Sequence, residues 1–432
     1  MKHPFFCGSP EHDFNRRQFL RTGLAAAACL TVGGLTIPTG GVWADELRKQ
    51  RKRVLLLWLA GGSSQLETWD PKPGRPTGGP FKSIPTTVPG VRISELMPKM
   101  AKRMNQIAVV RSLDTRVADH GQAADLMQRG RRPEGAIAYP DIGAVVAKEL
   151  GRPNSAVPDY VSFYLASEGR NSGRPYAGFL GSRYGAMSLE RTLKPENIDR
   201  PADLTESEHA EREHLRRFLS ERFNRERNAA EVEGYNNAYA RVRGLMKIDH
   251  LFDLEKEPPA VRDRYGKTDF GQHALIARRL LEADVPMVKV ARAWWDSHAD
   301  NFESHRELVA EFDHVMTTLL CDLDERGLLE STLVIVLSEF GRTPAINKES
   351  GRDHFASAWS CAFAGCGIKG GTLHGKTDAD GKSVTDGKAD AGDVAATIYK
   401  ALGISPKKHY YAGPRPIPLA PEGAKAIETV LA

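Results

Sequence analysis

Arg53-Val54-Leu55-Leu56-Leu57-Trp58-Leu59 runs unbroken by any polar residue after its arginine and ends in Ala60-Gly61-Gly62. A helix or strand covered on one face would show polar residues at a period of 3.6 or 2, so a short continuous apolar run reads as a strand buried on both faces. Such a strand needs helical layers on each side. The rest of the chain supplies them, because further runs at Ile107–Val110, Tyr160–Tyr164, Met287–Val290, Thr332–Leu337 and Trp359–Ala364 alternate with helical-period sequence. That alternation predicts an α/β chain with a central, mostly parallel sheet and helices on both faces. The clearest helix is Phe302–Leu323, with Phe302, Leu308, Val309, Phe312, Met316, Leu319, Leu320 and Leu323 on one face and Gly327 as its stop. His305 shares that face and reads as a satisfied core histidine.

The first 44 residues read as a leader: Asn15-Arg16-Arg17-Gln18-Phe19-Leu20-Arg21, an apolar run around Leu24–Ile37, and a small-residue exit at Val42-Trp43-Ala44. It is similar to a bacterial twin-arginine signal, which implies export to the periplasm or beyond. Cleavage is expected after Ala44, leaving no transmembrane anchor in the mature chain. Residues 45–432 are expected to form a single domain carrying 56 basic and 53 acidic groups. So even a balance excludes nucleic acid as a partner, since phosphate neutralisation needs a clustered basic face. Cys321, Cys361 and Cys366 are an odd number for an oxidising compartment, and Cys361 and Cys366, in and just past the apolar Trp359–Gly365 segment, read as buried inert thiols rather than a metal pair.

Residues 191–265 form a charged helical insert. Its apolar stripes, Leu215, Phe218, Leu219 and then Tyr235, Ala238, Tyr239, Val242 and Met246, predict two helices packed on each other. Residues 66–93, rich in proline and glycine, form an irregular excursion near the carboxyl ends of the strands, where α/β proteins bind ligands.

Four clusters follow strand ends: Gly61–Pro73, Asp119-His120-Gly121, Trp294-Trp295-Asp296-Ser297-His298, and Ser338-Glu339-Phe340-Gly341-Arg342 with Gly351-Arg352-Asp353-His354. Carboxylates and imidazoles converging from separate loops are what a divalent cation requires. A Ser-His-Asp hydrolase built on Ser63, Ser64 or Ser338 is the rival, but no G-x-S-x-G elbow exposes any of these serines. Walker and G-x-G-x-x-G phosphate loops are absent as well.

Taken together, Gly61–Pro73, Trp295–His298, Leu333–Pro344, Gly351–His354, Gly367–Gly371 and Thr377-Asp378 resemble the bacterial DUF1501 family. That family is assigned to the alkaline phosphatase/sulfatase-like superfamily, and the resemblance implies that architecture. It also implies a divalent metal of the zinc, calcium or magnesium class, held by Asp296, His298, Glu339, Asp353 and His354. His120 is expected as base or ligand, Arg342 and Arg352 as the catalytic cations, and Ser63, Ser64 and Thr68 as substrate contacts. The implied substrate is an anionic ester, phosphate or sulfate, on a small molecule or a polymer.

Three departures from the superfamily pattern stand out. The first strand ends in Ala60-Gly61-Gly62 rather than a carboxylate, with Glu67 and Asp70 the nearest acids. No hydroxyl or thiol occupies the nucleophile position at Asp119-His120-Gly121, and Glu339-Phe340 replaces an Asp-His pair. A metal-dependent hydrolase using water fits these changes. So does a non-catalytic periplasmic binding or assembly protein that keeps the fold.

Overall fold

The computed structural model describes residues 30–32, 35–37, 50–152, 157–163, 175–189, 192–196, 201–224 and 229–432. The chain divides into two units, Met1–Gln50 and Arg51–Ala432. In the first, Leu30–Val32 pairs antiparallel with Leu35–Ile37. The arginine pair of the expected leader and its exit at Ala44 lie outside the described residues.

Ten strands of the second unit matter here, named in chain order: β1 (Arg53–Leu59), β2 (Ile107–Leu113), β3 (Tyr160–Phe163), β4 (Met187–Leu189), β5 (Met287–Arg292), β6 (Thr332–Leu337), β7 (Gly341–Arg342), β8 (His354–Phe355), β9 (Trp359–Gly365) and β10 (Leu373–His374). Eight of them form the central sheet in the order β10-β2-β9-β6-β1-β5-β3-β4. β1 lies between β6 and β5, parallel to both. Only β9 runs antiparallel to its neighbours β6 and β2. The expected mostly parallel sheet is therefore present, with one reversal that periodicity could not signal.

Seven helices matter here: α1 (His120–Arg129), α2 (Ile142–Leu150), α3 (Glu206–Asn224), α4 (Ala229–Ile248), α5 (Asp269–Glu282), α6 (Asn301–Glu325) and α7 (Ala391–Ala401). Strand alternation sorts β1 between two layers. Leu55, Leu57 and Leu59 join a core with Leu275, Leu280, Phe312 and Leu319 from α5 and α6, while Val54 and Leu56 face Met127, Ile142 and Ile398 from α1, α2 and α7. Full burial of all seven β1 residues follows from this double cover. α6 ends as expected, because Gly327 takes φ +65° and the Leu328 amide donates to the Leu323 carbonyl at 2.8 Å.

The insert departs from expectation. α3 and α4 form, but Leu215, Phe218 and Leu219 of the α3 stripe are more than half exposed. α4 instead docks by Leu245 and Ile248, and the two helices are tied by charge, with both Arg216 and Arg243 on Glu213. The side chains of Tyr235 and Ala238 lie outside the described residues. Among the described residues, no helix is long and apolar enough to cross a membrane. Cys361 and Cys366 are buried free thiols, and burial pushes both up, which keeps them protonated.

Candidate metal centre

β1, β5, β6 and β2 all point their carboxyl ends at one edge of the sheet, and the four sequence clusters leave from there. β6 runs into Ser338-Glu339, and the short hairpin of β7 and β8 then brings Arg342 opposite His354. β2 leads through residues 114–119 to α1, which opens at His120 behind the Asp119 cap, whose carboxylate accepts the Gln122 amide at 3.0 Å. β5 leads to the turn at Trp294–His298. Here the backbone passes so close to β1 that a Cβ on Gly61, at φ +114°, would lie 2.6 Å from the Asp296 nitrogen. Only glycine fits that crossing. The hairpin is pressed on the same turn, since a Cβ on Gly351 would lie 1.8 Å from the His298 carbonyl oxygen.

Asp296 is the hub. Its Oδ2 is 3.0 Å from His120 Nε2. Its Oδ1 meets Arg342 Nη2, His298 Nε2 at 3.1 Å and His354 Nε2 at 3.2 Å. The two histidine nitrogens are themselves 3.0 Å apart. Tautomers follow from the far side of each ring. His354 Nδ1 faces the Ala118 carbonyl at 2.7 Å, which can only accept, and His298 Nδ1 faces the Asp353 carboxylate at 2.8 Å. Both Nδ1 atoms therefore donate. Both Nε2 atoms then converge on a carboxylate oxygen that also accepts from Arg342.

Three such atoms at 3.0 to 3.2 Å need a proton or a metal ion between them. Their spacing approaches the roughly 3.3 Å ligand-to-ligand edge of a tetrahedral site with metal bonds near 2.0–2.1 Å. The donor set of two imidazoles and one carboxylate fits a borderline divalent ion. His120 also brings a nitrogen into this group, since its ligand atom and those of Asp296 and His354 all lie within 4.8 Å of one another. Its hydrogen bonding tells against coordination. Nδ1 lies 2.9 Å from Glu339 Oε1 while Nε2 faces Asp296, so both nitrogens donate to carboxylates. Burial alone would lower its pKa, but hydrogen bonds and charge from Asp296 and Glu339 prevail and raise it to about 9. His120 is a buried imidazolium holding Asp296 in place.

The remaining expected residues separate into groups. Glu339 is buried, and its Oε1 accepts the Gly61 amide at 2.7 Å and lies against His120, so it braces that ring and makes no contact with His298 or His354. Asp353 is exposed, is held below the usual carboxylate range by His298, and orients that ring from behind. Arg342 and Arg352, expected as cations facing substrate, are both fully buried. Arg342 donates to the Gly61, Gly62 and Arg352 carbonyls as well as to Asp296. Arg352 pairs with Glu67 and the carbonyls of Thr77, Thr343 and Pro344. Those contacts make both arginines positioning groups.

Ser64 and Thr68 are buried as well, with the Thr68 hydroxyl donating to the Ser64 carbonyl, whereas Ser63 is partly exposed. The loop also carries a residue the sequence reading passed over. Gln65 is buried, and its amide pairs with both backbone groups of Arg342, donating at 2.8 Å and accepting at 2.9 Å. Its place inside the quoted Gly61–Pro73 motif was the available signal. A cavity of about 1350 Å³ opens beyond the 114–119 loop, lined by Thr115, Arg116, Arg131, His374 and Arg415, and none of the converging side chains reaches it.

His305 lies behind the site as the core histidine expected. Its Nδ1 donates to the Asn301 carbonyl at 2.9 Å, its Nε2 accepts the Ser64 amide at 3.2 Å, and burial pushes its pKa down to about 4. A buried neutral imidazole binds its proton only in the unfolded chain between those limits. Stability from this group is complete above the ordinary imidazole value of 6.5 and is lost as pH falls towards about 4. The expected loss is on the order of 3 kcal/mol. Urea midpoints measured between pH 7 and pH 4.5 should show it, and His305→Gln should flatten that slope; an equal slope in both proteins would refute it.

Comparison with known proteins adds the following. The family model described as "Protein of unknown function (DUF1501)" matches residues 51–431. No curated protein matches the chain. Similar solved structures include a sulfatase from Pseudoalteromonas sp. at 13% identity and TM-score 0.39, covering 85% of this chain and 72% of that one. A lipoteichoic acid synthase from Listeria monocytogenes shows 9% identity and TM-score 0.39, with 88% and 81% covered. A protein in the alkaline phosphatase superfamily from Vibrio parahaemolyticus shows 11% identity and TM-score 0.34, with 85% and 76% covered.

Proposed function

The chain belongs to the DUF1501 family, and from that premise we propose that it is an exported, divalent-metal-dependent hydrolase of phosphate or sulfate esters. The observation that carries the reading is the convergence of His298 Nε2, His354 Nε2 and Asp296 Oδ1 with both tautomers fixed from behind. These three atoms would hold the ion. When bound, a divalent cation supplies polarisation of an ester oxygen and a lowered pKa for water.

The protein groups do the rest. His120, protonated between Glu339 and Asp296, keeps Oδ2 occupied so that Oδ1 faces the two histidines. Arg342 holds the same carboxylate from the interior. Asp353 fixes the His298 ring, and the exposed side of His298 leaves the site open to an anionic ester at the surface. Water is the nucleophile in this scheme, because the Ser338 hydroxyl just past β6 donates to the Leu59 carbonyl and the Ser297 hydroxyl to Asn301 Oδ1, each at 2.6 Å.

Those tied hydroxyls also favour a second reading, a binding or assembly protein that keeps the site but not the chemistry. Metal analysis and turnover separate the two. Protein purified after export is expected to carry about one divalent ion per chain by elemental analysis. Chelation should lower its melting temperature and abolish hydrolysis of aryl phosphates or aryl sulfates, and re-addition of metal should restore both. Bound metal without turnover on either ester class, or no metal and no turnover, would overturn the hydrolase and leave the binding or assembly protein.

A further inference from the structure

His298 is the more loosely surrounded of the two imidazoles. Its side chain is 48% exposed against 22% for His354, and an exposed ring must give up rotamer freedom before it can serve as a ligand. Something has to hold it. The loop between β7 and β8, residues 343–353, leads into His354 and also lies against the turn that carries His298, where the Arg352 amide donates to the Ser297 carbonyl at 3.0 Å. Within that loop, Asn347 reaches His298 directly.

Asn347 uses the whole of its amide. Nδ2 donates to the His298 carbonyl at 2.9 Å and, over a longer 3.4 Å, to Asp353 Oδ1, the oxygen that accepts from His298 Nδ1. Oδ1 accepts the Glu349 and Gly351 amides at 3.0 and 2.8 Å. These partners fix the orientation of the group, because backbone N–H groups only donate and a carbonyl only accepts. The two ends act differently. Oδ1 folds the loop on itself, alongside the Asn347 amide on the Gly351 carbonyl at 2.9 Å. Nδ2 leaves the loop and closes a circuit through the His298 backbone, the His298 ring and the Asp353 carboxylate.

We propose, resting on the ligand set assigned above, that Asn347 is a positioning residue for the metal: through Nδ2 it holds His298 in the rotamer and the Nδ1-protonated tautomer that aim Nε2 at Asp296 Oδ1 and His354 Nε2. A histidine tied at its carbonyl and at its ring keeps one orientation. One loop then sets both imidazoles, since it presents His354 and orients His298 from behind.

Asn347→Asp separates the two ends. The carboxylate still accepts the Glu349 and Gly351 amides, but its outer oxygen faces the His298 carbonyl and Asp353 with no proton to donate. Isothermal titration of the metal-free protein with Zn2+ should show affinity about 10–100-fold weaker, the range for groups that orient a ligand. Adding Asp353→Asn exchanges the amide and the carboxylate: position 353 then donates to position 347 and still accepts from His298 Nδ1. The double variant should bind Zn2+ no more weakly than Asn347→Asp alone, whereas independent effects would multiply. Nitrogen-15 shifts of the histidine rings give a reading without metal, with His298 in one Nδ1-protonated form in wild type and in a mixture of tautomers in Asn347→Asp. Wild-type affinity in Asn347→Asp, losses that multiply in the double variant, or a His298 tautomer indifferent to the change would each make Asn347 a brace of its own loop and overturn the proposal. So would a wild-type chain that takes up no Zn2+. Zn2+ bound as expected without ester turnover sinks the hydrolase and leaves Asn347 in this role.

Discussion

His354→Ala is expected to strip the site of its metal and reduce ester hydrolysis to the background of a chelated sample. The expectation follows from what the side chain contributes: one of two imidazole nitrogens at Asp296 Oδ1, 3.0 Å from the other. Outer partners that merely orient a ligand are worth about 10–100-fold in metal affinity, so removing a ligand should cost more than about 100-fold. Asp353→Asn provides the internal scale. It keeps His298 in place but weakens the acceptor behind its Nδ1, 2.8 Å away, and should fall within the 10–100-fold range.

The two changes also differ in the metal-free protein. His354→Ala removes one of three atoms that need a proton or a metal ion between them, so the apo form should melt no lower than apo wild type, while the rise in melting temperature on adding metal should vanish. Isothermal titration and thermal melts with and without chelator read both quantities. Wild-type metal stoichiometry and turnover in His354→Ala would refute the assignment of this ligand set.

Much of the framework can be read from the sequence because its physics is local. Seven apolar residues in succession force double cover on β1, and the recurrence from Phe302 to Leu323 forces the one-faced burial of α6. Asp296, His298 and His354 were legible as candidates because each follows a strand, and parallel strands end together at one edge. Their mutual distances were not, since these depend on the hairpin that folds His354 back over Arg342.

The arginines mislead for a physical reason. A charged side chain reads as exposed by default, and Arg342 and Arg352 are buried only because their partners, Asp296 and Glu67, lie 46 and 285 residues away. The α3 stripe misleads in the opposite sense. Periodicity shows that a face is apolar, not how deeply it is covered, and here Leu215, Phe218 and Leu219 stay more than half exposed.

The Glu67–Arg352 pair carries the largest expected effect on stability. Both side chains have no solvent exposure, and Glu67 Oε1 accepts from Arg352 at 2.8 and 3.2 Å. Glu67→Ala would leave a guanidinium in the interior without its counter-charge, and removing one partner of a buried pair costs about 3–5 kcal/mol. Glu67→Gln keeps an acceptor and should cost less. Replacing both residues, as Glu67→Leu with Arg352→Met, should recover part of the loss, because two apolar groups incur no charge desolvation.

The effect should reach the metal centre as well. Arg352 holds the Thr343 and Pro344 carbonyls, and its own carbonyl accepts from Arg342 at 3.0 Å, so the pair anchors the hairpin that presents His354. Glu67→Ala should therefore lower metal affinity along with the urea midpoint, although Glu67 touches neither the ion's ligands nor solvent. An unchanged midpoint in Glu67→Ala would mean that the buried pair contributes nothing to folding. A lowered midpoint with wild-type metal affinity would separate the hairpin's anchoring from the site it carries.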